Sequence, residues 1–216
     1  MDREAADALA QTLVARIPRE FCVAVDEGFR AASKRAYVEA ATRDEGHRSS
    51  ALGQGRHFQQ NEAFALALDA SGIRRNAIKG NGIIVGDLAP LYLARFSIAN
   101  LTWNRVRKSA QRLEMARKNL WLQEIVQPGL FEATRPIEGQ ITAFFVTAFS
   151  GSIKMQPDVP VSIDIVVPDV SLGERLFSES LSVFLARYAE PVKQPDMAHV
   201  RLKDVAQRRQ TGGSSS

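Results

Sequence analysis

Cysteine is nearly missing: the chain of 216 residues has one, Cys22. One thiol cannot close an internal disulfide, so a reducing compartment, the cytoplasm, is the expected setting. Histidine is scarce as well, with three residues. The templates that gather metal ligands (HExxH, HxH, paired cysteines) are not met, and neither a metal nor a cofactor is expected. No apolar run approaches the ~20 residues that cross a bilayer. The N-terminus, "MDREAADALA", lacks the basic start and apolar stretch of a secretory signal. The glycines of "GNGIIVGD" flank a strand-like run and do not precede a helix, so they match neither the P-loop nor the dinucleotide fingerprint. Ser150, in "FSGS", lacks the nucleophile-elbow pattern.

The chain does have the material for a core. Hydrophobic residues make up 45% and charged residues 24%, close to the globular average. We expect one α+β domain over residues 1–190, with a possible helical subdomain at 1–72. A basic polar tail at 191–210, carrying His199, Arg201, Lys203, Arg208 and Arg209, and a flexible linker or tag remnant at 211–216 ("TGGSSS") follow. Apolar residues three to four apart predict helices up to Pro18, then from Val25 to about Gly46, then from Asn61 to Gly72. Between them "GHRSSALGQGRHFQQNE" reads as a polar joint broken by Gly53 and Gly55. Four strand-like runs follow: "GNGIIVGD", "LYLARFSIA", "QITAFFVTAFS" and "VSIDIVVPD". They predict a mostly antiparallel sheet of about four strands, in two hairpins, packed with helices. "SLGERLFSESLSVFLARYA" predicts a closing amphipathic helix, with Ser171 and Glu174 as a capping box.

Positive charge is gathered in one place. "TWNRVRKSAQRLEMARKNLWL", residues 102–122, holds Arg105, Arg107, Lys108, Arg112, Arg117 and Lys118 against Glu114, a surplus of five where the whole chain carries +4. As one helix at about 100° per residue, Val106, Ala110, Leu113, Leu120 and Trp121 form a core stripe. Arg105, Lys108 and Arg112 lie together on the solvent side, and Arg107 and Lys118 flank them. Arg117 falls inside the apolar stripe, where its guanidinium must snorkel or meet a carboxylate such as Asp87, Asp164 or Glu138. Such a face tracks phosphates by neutralising charge and releasing counterions, and Trp103 and Trp121 could stack on bases where exposed. A charged helix face is otherwise simply solvated.

The polar joint holds His47 and His57 with Arg48, Arg56 and Glu62. Histidine titrates near neutrality and suits acid–base work. Arg48 or Arg56 could hold an anionic oxygen, and Glu62 or Asp87 could orient an imidazole. His57 and Glu62 are five apart and so lie on different faces of a helix. The leading expectation is a bacterial-looking, cytoplasmic accessory or regulatory protein that binds nucleic acid through a basic helix at 104–119, without catalysis. DNA ranks ahead of RNA because no RNA-module motif is visible. The alternatives are a phosphodiester-cleaving enzyme centred on His57, with His47, Glu62 and Asp87, and an interaction module, an inhibitor or adaptor, that meets an acidic protein.

Overall fold

The structure, a computed structural model, describes residues 3–99, 101–122, 139–151 and 157–188. The basic tail and "TGGSSS" lie outside them. Three helices come first: α1 (Arg3–Arg16), α2 (Arg19–Ala41) and α3 (Glu45–Ala70). Pro18 separates the first two, as its missing N–H and fixed φ dictate. The expected joint at 46–62 does not exist, because α3 runs through it. Glycine costs about 1 kcal/mol in a helix interior, and packing outweighs that here. α2 and α3 are antiparallel and touch at small residues. A Cβ on Gly28 would lie 3.3 Å from the Ala63 Cβ, and one on Gly55 would lie 3.4 Å from the Ala36 Cβ. Gly55 is therefore a contact point between helices and not a breaker.

Six strands follow: β1 (Arg74–Arg75), β2 (Val85–Leu88), β3 (Leu91–Ala99), β4 (Ile141–Phe149), β5 (Ser162–Pro168) and β6 (Arg175–Ser180). They form one sheet in chain order. Both expected hairpins are present, β2–β3 and β4–β5, and each gains one more antiparallel strand. The two meanders meet at β3 and β4, which run parallel with Leu91 opposite Ile141 and Ala99 opposite Phe149. The sheet is thus mixed, with six strands rather than four. Parallel neighbours require a long connection, and the basic segment supplies it. It contains α4 (Ala110–Ala116) between two 3₁₀ turns, Trp103–Lys108 and Arg117–Asn119.

The closing helix is half strand. β6 occupies Arg175–Ser180, and only Leu181–Ala186 (α5) is helical, capped by the Ser180 hydroxyl accepting from the Val183 N–H at 3.4 Å. No capping box forms at Ser171. The Asp169 carboxylate accepts from the Gly173 and Glu174 N–H groups at 2.6 and 3.1 Å and from the Ser171 hydroxyl at 2.6 Å, which closes the β5–β6 turn.

The sheet is covered on both faces. α1, α2, α3 and α5 pack on Leu91, Leu93, Ile141, Ala143, Phe145, Ile163 and Ile165. The crossover packs Val106, Met115 and Ala116 on Ala94, Phe96, Phe144, Val146 and Val166. Every residue of β4 is buried, as expected of a strand sandwiched between layers.

Candidate functional site

The basic segment is not one helix. Ser109 is extended (φ −98°, ψ 115°), and its hydroxyl accepts from the Arg112 N–H at 3.4 Å, so a new helix starts there. The break shifts the helical phase, and the single wheel fails beyond it. Arg117 is exposed, not in the core stripe. It does not pair with Asp87, which binds Arg74 at 2.8 Å, or with Asp164, which accepts from the Ser162 hydroxyl at 3.1 Å. Glu138 lies outside the described residues. Leu120, placed in the stripe, is 55% exposed, and Ala110 is exposed too. Asn119, placed in solvent, is fully buried. Its amide donates to the Thr142 and Pro168 carbonyls at 3.2 and 2.8 Å, and its oxygen accepts from the Thr142 N–H at 2.6 Å, which ties the crossover to the sheet.

Several cations lie over rings in this layer. The Lys118 ammonium is 3.9 Å from the centroid of Tyr92 and 3.3 Å from the Gln140 amide oxygen. The Arg112 guanidinium lies 4.6 Å over Phe96, and Arg175 lies 4.7 Å over Trp103. Tyr92 precedes Phe96 on β3 while Lys118 follows Arg112, so α4 runs back along β3, as a crossover between parallel strands must. Trp103 is half-buried beside Phe96, and its indole N–H donates to the Leu172 carbonyl at 2.9 Å. Trp121 is half-buried as well. Arg107 and Lys108 are exposed, with the Arg107 Nε donating to the Leu172 carbonyl at 3.3 Å. The Arg105 side chain lies outside the described residues. Arg30, Arg43, Arg74, Arg75 and Arg187 are in ion pairs, and among the described residues no ion pair involves a crossover residue.

The four residues of the candidate catalytic set are not brought together. His47 and His57 stand ten residues apart on α3, about 15 Å along its axis. His47 is exposed. His57 is half-buried, with Nε2 3.3 Å from the Asn61 amide nitrogen, and its ring is hydrogen-bonded to the Asn81 backbone. Burial, then the charges of Arg95 and Arg112, hold the His57 pKa below the ordinary histidine value. Glu62 is exposed and lines a groove between α2 and α3 with Arg35, Glu39 and Phe58. Asp87 is on β2, where it pairs with Arg74 and accepts from the Ala89 N–H at 3.0 Å. Arg48 is exposed and donates to the Arg43 carbonyl at 2.8 Å, a local tie at the start of α3. Arg56 is buried, stacked 3.7 Å from the centroid of Phe149 and donating to the Pro157 carbonyl. Burial lowers its pKa to about 10 against the favourable charge of Asp158. Among the described residues no three of His, Cys, Asp and Glu are grouped to hold a metal ion.

A polar cluster centred on Gln60 lies inside the molecule, and sequence reasoning passed over it. The Gln60 amide oxygen accepts from the Arg95 Nη1 and the Ser97 hydroxyl, each at 2.8 Å, and from Thr147 at 3.2 Å. The Gln60 amide nitrogen donates to Ser33 at 2.9 Å. Arg95 is 4% exposed, and burial with the nearby Arg112 charge lowers its pKa to about 9. The signal was present in "LYLARFS": Leu91 and Leu93 face the core at period two, and the same face continues with Arg95 and Ser97. No protein-family model, curated protein or solved structure matches this chain.

Proposed function

We propose that this protein binds nucleic acid, DNA ahead of RNA, through the crossover layer on one face of its sheet, as an accessory or regulatory factor without catalysis. One observation carries the reading. Arg107, Lys108, Arg112, Arg117 and Lys118 follow one another along the crossover, and among the described residues none of them is in an ion pair. Cations left without carboxylates are available to phosphates. Rings beneath Arg112 and Lys118 limit the freedom these side chains lose on binding. Arg117, unexpected at the surface, joins the set.

The test is fluorescence anisotropy with double- and single-stranded DNA and RNA at two salt concentrations. Binding is expected to weaken with salt at about 0.9 log units per neutralised phosphate for each log unit of salt. Lys108→Glu with Arg117→Glu is expected to weaken binding about tenfold or more and to flatten the salt slope by about 2. Both residues are exposed, so stability should change by no more than about 0.5 kcal/mol. Absence of binding to any of the polymers at low salt would overturn the reading and leave an acidic protein as the partner to seek.

A further inference from the structure

We propose that the groove between α2 and α3 is a self-association surface, and that its occupant is a second copy of this chain. Small residues, Ala40, Ala51 and Gly55, line it together with Phe58, which is 43% exposed. Leu66, one helical turn past Glu62 on α3, is 68% exposed. Large apolar side chains left in water beside a furrow of small ones mark a contact surface.

Charge selects the occupant. Arg35 and Arg43 line the groove against Glu39 and Glu62, so its net charge is zero. Glu39 is already engaged: it accepts from the Gln59 amide at 3.1 Å and lies 4.0 Å from Arg43. Arg35 on one rim and Glu62 on the other are exposed, and among the described residues neither is in an ion pair. The helices are antiparallel, so Arg35, a turn before Glu39, and Glu62, three residues past Gln59, lie to the same side of the Glu39–Gln59 bond, one on each rim. A polyanion would satisfy Arg35 and be repelled by Glu62; a basic segment would do the reverse. A second copy brings both signs. A two-fold axis along the groove sets α2 of each copy on α3 of the other, the self-complementary arrangement of an isologous dimer. Each Arg35 then faces the partner's Glu62, and the pair occurs twice. Exposed rim pairs add little affinity, but they fix register, and like charges in their place repel. The face runs about 22 Å from Ala51 to Leu66 at 1.5 Å per residue, and two helices are about 20 Å wide. Two such faces bury roughly 900 Å², the size of a weak, concentration-dependent contact.

The groove lies on the helical face of the sheet and the crossover on the other, so dimerisation leaves the basic layer free and stands apart from the nucleic-acid reading. The experiment is sedimentation velocity of the full chain, without nucleic acid, from low micromolar to several hundred micromolar. A reversible monomer–dimer equilibrium is expected. Arg35→Glu and Glu62→Arg should each weaken it about tenfold or more by setting like charges face to face. The two changes together should restore it. Lys34→Glu, an exposed neighbour on α2 outside the groove, should leave it unchanged, as should Lys108→Glu with Arg117→Glu. All the altered side chains are exposed, and thermal melts like the parent's should confirm that the variants fold. The proposal is overturned by a parent that stays monomeric throughout, by single variants that dimerise like the parent, by a double variant that does not recover, or by equal loss in Lys34→Glu.

Discussion

His57 shows how much a side chain's neighbours change what its type suggests. Histidine in a polar stretch invites a catalytic reading. Here its ring ties α3 to the 81–82 loop, through Asn81 directly and through Asn61, whose amide also reaches the Gly82 carbonyl at 3.4 Å. Burial and two arginines disfavour its charged form. The folded protein therefore holds fewer protons at this position than the unfolded chain, whose histidine titrates near about 6.5. Stability contributed by His57 is present above that value and is lost as pH falls below it. Melting temperatures between pH 8 and pH 5.5 should decline on the acid side, and His57→Asn should remove that part of the decline. Parallel pH profiles for the two proteins would refute this linkage. Arg95 was legible as a charge on the inward face of a strand. Its partner was not, because Gln60 is 35 residues away on another element.

At the scale of the element, local pattern was a good guide to which stretches are ordered and a weaker one to how they end. The four strand-like runs became β2 to β5 because β-branched and aromatic residues favour a pleated, half-buried surface. The β6 stretch also fits a helix in sequence, because Leu172 and Leu176, then Leu181, Leu185 and Tyr188, lie three to four residues apart; the turn held by Asp169 decides otherwise. The basic wheel assumed one continuous helix, and a serine cap at position 109 broke that assumption. α3 was hidden by its glycines, which differ from one another in consequence. A Cβ at Gly53 would meet nothing within 4 Å, whereas one at Gly55 touches α2. Gly53→Ala should stabilise the protein by about 0.5–1 kcal/mol. Gly55→Leu should destabilise it by about 1–3 kcal/mol by forcing the helices apart. Urea denaturation of the two variants checks both signs, and a Gly55→Leu protein as stable as the parent would contradict the close packing described here.

For the whole molecule, the sheet is the fixed layer and the crossover is what it carries on one face. The class, α+β with helices first, could be read from the order of the patterns. The parallel junction could not, since a strand's pattern of buried and exposed residues is the same whichever way its neighbour runs. Helical layers on both faces make β4 the most protected element. Its amide hydrogens should exchange only through global unfolding, and those of the two-residue edge strand β1 well before them. Hydrogen exchange read by NMR would show this as a common denaturant slope within β4 that matches the global transition; faster, uncorrelated exchange in β4 would argue against the layered core.

The chain-ordered sheet also sets how the protein can assemble. Five strand pairs join neighbours in sequence, and four of them are antiparallel links between strands close along the chain. Contacts of this kind close small loops and form quickly. The β3–β4 pair must instead close a loop of about 40 residues, at an entropic cost that grows only with the logarithm of its length. Two small meanders can therefore form separately and join in a single late docking, and lengthening the crossover by half would slow that docking only slightly.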